Sequence, residues 1–182
     1  MKLNDVGIFF DRDGTINVDA DYLSDPDDLE LIPGAVEAIR DANRLGVKAF
    51  VITNQSGVAR GLYDEQTLAA IHAHMRERVR TAGGELAGIW YCPHLPDAGC
   101  DCRKPRPGLF RQLERDLRVS VRGAPYIGDR ISDVQAAEGA GASPILVRTG
   151  TGAETESVLG KTVVPVYDDL WAAARALLDE TR

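Results

Sequence analysis

Short apolar runs recur along the chain, and each is followed by a polar or turn-rich stretch and then a helical pattern. The runs are Val6-Gly7-Ile8-Phe9-Phe10, Val47 to Ile52, Gly88-Ile89-Trp90-Tyr91, Tyr126-Ile127 and Pro144-Ile145-Leu146-Val147. They are nearly continuous rather than alternating apolar with polar, so they read as strands buried on both faces. Pro33-Gly34 opens a helical pattern (Ala35, Val36, Ala38, Ile39, Ala42, Leu45) that stops at Gly46. Asp64 can cap a long helix to about Thr81, with Gly83-Gly84 as its stop. Pro107 begins another through Leu109, Phe110, Leu113 and Leu117, and Ser132 or Asp133 caps the next. Val163 to Tyr167 and a helix from Asp168 to Leu178 close the chain. This alternation predicts an α/β architecture: a three-layer, Rossmann-like fold whose mainly parallel sheet is covered on both faces. No repeat, low-complexity tract or interdomain linker divides the 182 residues, so one domain is expected over 1–182.

Composition narrows the partners. A formal net charge of -7 argues against non-specific attraction to nucleic acid or anionic membrane. No apolar run approaches the roughly 20 residues of a membrane span. Met1 to Asp5 lack the apolar core of a secretory signal, and a cytoplasmic address is the expectation. The 3 cysteines, an odd count, make a disulfide framework a poor reading.

The chemistry-bearing residues follow the strands, where open α/β sheets bind ligands. Asp11-Arg12-Asp13-Gly14-Thr15 comes directly after the first run. Two acids at i and i+2 beside a permissive glycine can offer a carboxylate and a backbone carbonyl to a hard cation such as magnesium, although an acidic turn reads similarly. Thr53-Asn54-Gln55-Ser56-Gly57 follows the second run; its hydroxyls and N–H groups could hold phosphate oxygens, or simply form a turn. Arg103-Lys104-Pro105-Arg106-Pro107 precedes a helix and could grip anions, or be a solvated basic loop. In Gly128-Asp129-Arg130-Ile131-Ser132-Asp133, Asp129 can complete a cation site and Asp133 can support it while capping a helix.

Cys92, His94, Cys100 and Cys102 have the spacing C-x-H-x5-C-x-C, and all cysteines of the chain lie in it. Three thiolates and an imidazole suit a closed tetrahedral zinc site, structural because no ligand position stays open. Such a site would pin the loop that delivers Arg103 and Lys104. His72 and His74, two apart on a helical pattern, read as surface or packing residues.

Taken together, the four polar clusters resemble, in order and over Ile8 to Val147, the signature motifs of the haloacid dehalogenase superfamily. The resemblance implies Asp11 as a nucleophile that forms an aspartyl-phosphate and Asp13 as general acid and then base. It further implies magnesium held by Asp11, Asp129 and the carbonyl of Asp13, with Thr53 and Lys104 on the phosphoryl oxygens. The segment from Thr15 to Pro33 is too short for a folded cap domain.

Within the superfamily, Asp11 to Asn17, Thr53 to Gly61 and Cys102 to Gly108 look like the heptose-1,7-bisphosphate 7-phosphatases. That likeness implies substrate contacts from Asp19, Ala20, Asp21 and Tyr22, from Thr53, Asn54, Gln55 and Ser56, and from Arg103, Lys104 and Arg130, with Arg60 in support. A bisphosphate gives the extra arginines a purpose. Five residues separate His94 from Cys100, fewer than in those enzymes, and Cys92 to Pro96 with Cys100 to Pro105 also resembles histidinol-phosphate phosphatases. The expectations are a magnesium-dependent phosphatase with structural zinc, acting as a monomer on a small phosphorylated metabolite. A zinc-stabilised binding module without catalysis would lack Asp11, Asp13, Lys104 or Asp129, and all are present. A nucleic-acid end-processing phosphatase conflicts with the acidic balance.

Overall fold

The structure, a computed structural model, describes residues 3–160 and 163–179; Met1 and Lys2 of the expected leader-free start and 180–182 of the expected domain lie outside them. The strands are β1 (Ile8–Phe10), β2 (Ala49–Asn54), β3 (Leu86–Cys92), β4 (Pro125–Gly128), β5 (Ser143–Val147) and β6 (Val166–Tyr167). They form one sheet in the order β3-β2-β1-β4-β5-β6, and every pairing is parallel. The helices are α1 (Leu3–Val6), α2 (Ala35–Arg44), α3 (Glu65–Thr81), α4 (Gly108–Leu117), α5 (Ile131–Ala140), α6 (Gly152–Val158) and α7 (Leu170–Asp179).

The strands alternate their side chains between two cores. Ile8, Phe10, Ala49, Val51, Ile127, Ile145 and Val147 meet α2, α3 and α7 on one face. Phe9, Phe50, Ile52 and Tyr126 meet α4 and α5 on the other. Burial on both faces is why the sequence shows continuous apolar runs rather than a period of two. From β1 the chain builds outward through β2 and β3, then returns to place β4 on the other side of β1. That reversal leaves a crevice at the carboxyl ends of the strands. Between Thr15 and Pro33 the regular structure is a single 3₁₀ turn at Pro26–Asp28, so no folded cap stands over the crevice.

Three local expectations are corrected. The last strand is confined to Val166–Tyr167 because Pro165 has no N–H to give a ladder, although its carbonyl accepts from Leu146 N. The cap of α5 is Arg130 rather than Ser132 or Asp133; Asp133 sits at the third helical position and accepts from Arg130 N at 2.9 Å. Helix α7 starts at Leu170 rather than Asp168, with Asp169 accepting from Ala172 N at 2.8 Å. Helix α6 and the four-residue α1 were not anticipated, being too short to show a periodic pattern.

Candidate active site

The crevice holds a pocket of about 330 Å³ lined by Asp11, Arg12, Asp13, Asp19, Asp21, Tyr22, Leu23, Thr53, Asn54, Gln55, Ser56, Tyr63, Arg103, Lys104, Arg130 and Ser132. The polar segments after β1, β2 and β4 and the basic loop before α4 therefore converge. Of the expected substrate contacts only Ala20 is not part of the lining; it is exposed on the loop between Asp19 and Asp21.

Asp11 continues β1 by one residue, its N–H donating to Ile127 O of β4 at 2.8 Å. Its carboxylate accepts from Arg12 N at 2.7 Å and pairs with Lys104 Nζ at 2.9 Å. Lys104 is 3% exposed, which overturns the reading of its segment as a solvated loop. Its ammonium also donates to Asp133 Oδ1 at 2.6 Å, Tyr126 OH at 2.7 Å and Ile52 O at 3.1 Å. Asn54 clasps the backbone of the same lysine from both sides, Nδ2 to Lys104 O and Oδ1 from Lys104 N, each at 3.1 Å. The β2 loop thus sets where the basic loop delivers its charge.

Asp13 is turned elsewhere. Arg12, whose side chain is 1% exposed, grips it through Nε at 3.1 Å and NH2 at 2.8 and 3.0 Å. Asn17 Nδ2 donates to it at 3.0 Å and Gln55 Nε2 at 2.7 Å, Gln55 being held in turn by Tyr63 OH at 2.9 Å. Burial alone would raise this carboxyl, but the Arg12 guanidinium, Asn17 and Gln55 together hold it below its ordinary value. His72 is buried and lies 3.3 Å from Arg12 NH1. Burial, reinforced by Arg12, pushes its pKa down to about 3, so the ring is neutral and its Nε2 accepts. The sequence reading of His72 as packing missed this polar contact, as it missed Arg12 and Tyr63.

Asp129 lies fully buried behind the β1 loop. Gly14 has φ +78°, and a Cβ there would sit 2.4 Å from Asp129 Oδ2, so only glycine lets the two loops close. Oδ1 of Asp129 is buried without a hydrogen-bond partner. Oxygens of Asp11, Asp129 and Asp133 lie within 4.8 Å of one another. The side chain of Asp13 is not in this cluster, so its expected share in metal binding rests on its backbone alone. The three carboxylates of this cluster outnumber the cations that face them, Lys104 and, towards Asp11 and Asp129, Arg130, which leaves an excess of negative charge. The orphaned oxygen, the cluster and the charge all fit a hard dication held by carboxylates.

Burial, with the Asp133 carboxylate next, raises Asp11 to about 8 against the pull of Lys104. Burial and Asp133 raise Asp129 to about 6. Without a cation the folded state therefore binds protons that the unfolded chain, titrating near 3.8, releases. The resulting stability is complete below about pH 4 and is lost as pH rises through about 6 and about 8. In chelator, the melting temperature is expected to drop by several degrees between pH 5.5 and pH 8.5, with added magnesium recovering it at the alkaline end. Calorimetry across that range checks this; a melting temperature that rises with pH in chelator counts against it.

The cysteine cluster closes the end of β3. Cys92 Sγ lies 3.7 Å from Cys100 Sγ and 3.1 Å from Cys102 Sγ, and His94 Nδ1 lies 3.5 and 3.2 Å from Cys92 and Cys102. A tetrahedron with metal–sulfur bonds of about 2.3 Å has edges of roughly 3.8 Å, so the four donors surround a space of the right size. All three cysteines are free thiols. Arg103 NH1 donates to His94 O at 3.2 Å, tying the cluster to the pocket. Arg130 of the pocket is also engaged, pairing with Asp19, and Arg60, outside the lining, lies 5.4 Å over the ring of the lining residue Tyr22.

A parallel sheet with a nucleophile-capable aspartate, a buried lysine and a carboxylate cation site at its switch point defines a phosphoryl-transfer centre of haloacid dehalogenase type. Residues 101–173 match the family model described as "HAD-hyrolase-like". The chain is 46% identical over 175 residues to the D-glycero-beta-D-manno-heptose-1,7-bisphosphate 7-phosphatase of Pseudomonas aeruginosa, covering 94% of this chain and 97% of that one. It is 44% identical to the enzyme of the same name from Pseudomonas putida, over 98% and 100% of the two chains. The crystal structure of D,D-heptose 1,7-bisphosphate phosphatase from B. bronchiseptica, complexed with magnesium and phosphate, superposes with a TM-score of 0.91 at 42% identity, covering 99% of each chain. The chain belongs to the D-glycero-β-D-manno-heptose-1,7-bisphosphate 7-phosphatase family of these hydrolases.

Proposed function

We propose that this phosphatase removes the 7-phosphate of D-glycero-β-D-manno-heptose 1,7-bisphosphate through a phosphoryl group carried on Asp11. The observation that carries the substrate is the end-to-end likeness to enzymes of that activity, 97% of the P. aeruginosa chain at 46% identity. The short loop between His94 and Cys100 does not interrupt it, and the B. bronchiseptica structure is covered over 99% of its length.

Asp11 attacks phosphorus, and its carboxylate is kept in place by Lys104 Nζ at 2.9 Å and Arg12 N at 2.7 Å. Lys104 and Thr53 bind the equatorial oxygens. Asp13 is stored by Arg12 as a carboxylate, the form that takes a proton from water in the second half-reaction. For the first half-reaction it must first be protonated. Substrate entry that displaces an Arg12 contact removes part of what keeps Asp13 ionised. The carboxyl then takes a proton from solvent, gives it to the leaving alkoxide and returns to the carboxylate. Magnesium would be held by Asp11, Asp129 and the backbone of Asp13, where it would neutralise charge on the transferred group. Zinc would be held by Cys92, His94, Cys100 and Cys102, and there it would fix the loop whose His94 carbonyl anchors Arg103. Cys100→Ser is expected to lose most of about one bound zinc per chain, lower the melting temperature and reduce turnover indirectly. Elemental analysis with calorimetry checks this; a zinc-free parent protein with an undiminished melting temperature contradicts it.

Arg103, Arg130 and Arg60 ring the rim and receive the second phosphate, Arg130 being released from Asp19 and Arg60 from Tyr22. Each charge-assisted contact contributes roughly 1.5–3 kcal/mol, about ten- to a hundredfold in kcat/KM. The heptose bisphosphate should therefore exceed heptose 7-phosphate and histidinol phosphate, and Arg103→Ala should narrow the gap while sparing the monophosphate. Equal or better kcat/KM on histidinol phosphate would overturn the substrate. A net charge of -7 supports action on a metabolite rather than on nucleic acid or an anionic membrane, and we propose a monomer acting in the cytoplasm. Among the described residues no helix is long and apolar enough to cross a membrane.

A further inference from the structure

The loop after β5 carries polar residues that neither the sequence motifs nor the mechanism above employ. Thr149-Gly150-Thr151 leaves the sheet beside β4 and packs on both acidic loops. Thr149 Oγ1 donates to Gly14 O at 2.7 Å, joining this loop to the one after β1. Gly150 adopts φ +58°, and a Cβ there would meet Asp129 Oδ2 at 2.3 Å and Gly14 Cα at 2.6 Å. The approach is therefore as close as backbone allows. Thr151 then places two donors on one oxygen of Asp129: N at 2.8 Å and Oγ1 at 3.1 Å, both to Oδ2. The other oxygen, Oδ1, is buried with no partner.

We infer that Thr151 is a positioning residue for the cation site, fixing the Asp129 carboxylate so that Oδ1 alone is presented to the metal. This rests on Asp129 being a magnesium ligand, as proposed above. A carboxylate on a single side-chain bond can swing, and it can offer either one oxygen or both. Two donors on Oδ2 remove that freedom, and Oδ1 is itself buried without a partner. Groups that orient a ligand in this way typically account for ten- to a hundredfold in metal affinity. Thr149 and Gly150 serve the same end by holding the threonine against the loop that carries Asp11 and Asp13. The loop after β5 is thus another strand-end arm of the site, invisible as a motif because it lies outside the pocket lining.

Isothermal calorimetry of magnesium binding to the folded, zinc-loaded protein tests this. Thr151→Val keeps the shape and the backbone donor but removes Oγ1, and it is expected to weaken the magnesium Kd about tenfold. Thr151→Ser keeps the oxygen and should remain within about twofold of the parent. At saturating magnesium the KM for substrate should be unchanged in both, since Thr151 does not line the pocket. If Thr151→Val does not fold, Thr151→Ala against Thr151→Ser gives the same comparison. A folded Val or Ala variant that binds magnesium as the parent does, while Asp129→Asn binds none, overturns the inference and leaves the ligand assignment standing. Parent-like binding by Asp129→Asn overturns both.

Discussion

Asp11→Asn is expected to lower kcat by about four orders of magnitude or more, while the protein stays folded. Asparagine keeps the size of the side chain, but its amide cannot attack phosphorus and cannot carry the phosphoryl group. The surroundings make the substitution tolerable. Asp11 is a carboxyl that burial, and next the Asp133 carboxylate, raises to about 8 without a cation. Removing that ionisation removes part of the penalty that grows with pH, so the variant in chelator should lose less stability than the parent between pH 5.5 and pH 8.5. Steady-state turnover, intact mass after a substrate pulse and calorimetry are the measurements. Retention of more than a few per cent of parental kcat would remove the covalent mechanism.

Much of this arrangement was legible in the sequence because burial writes itself into composition. A strand such as Ile8–Phe10, covered by helices on both faces, has no polar side and so reads as an apolar run. The polar residues directly after it can then lie only at the strand's carboxyl end. Reading Asp11, Thr53 and Lys104 toward one pocket, with Asp129 buried behind it, required little more than that placement. The gathering of Cys92, His94, Cys100 and Cys102 was legible for a similar reason: thiols and an imidazole at close spacing bring donor atoms that could hold a metal whatever the backbone does between them.

What stayed hidden depends on side-chain direction, which spacing does not encode. Asp13 faces Arg12, Asn17 and Gln55 rather than the carboxylate cluster. His72 lies on the face of α3 that meets Arg12, and its buried ring looks in sequence like any other helical histidine. The arginines expected to be free for a second phosphate are each held, Arg130 by Asp19, Arg60 over Tyr22 and Arg103 by a carbonyl of the metal loop. Pairing of residues 111 positions apart, as in Asp19 and Arg130, comes only from the fold.

Lys104→Met should affect stability and catalysis together, in a way that separates its two tasks. The ammonium is buried between Asp11 at 2.9 Å and Asp133 at 2.6 Å, and both acids hold it charged although burial alone would lower its pKa. Methionine fills much of the volume but leaves both carboxylates without their nearest cation, which costs about 3–5 kcal/mol for a broken buried pair. The loss has a stated pH dependence. Without Lys104 the pKa of Asp11 rises further, so the variant takes up protons more readily and recovers stability as pH falls toward 5. Magnesium, which supplies positive charge to the same carboxylates, should recover part of it at pH 8. Catalysis has no such remedy, because the ammonium that would face the phosphoryl oxygens is gone in either case. At saturating magnesium and at a pH where the variant is folded, kcat should remain about 10²–10³-fold below the parent. Thermal unfolding at pH 5 and pH 8, with and without magnesium, measured beside kcat, distinguishes the effects. If kcat returned to the parental value once folding was restored, Lys104 would be a structural partner of Asp11 and Asp133 rather than a group that binds the transferred phosphoryl.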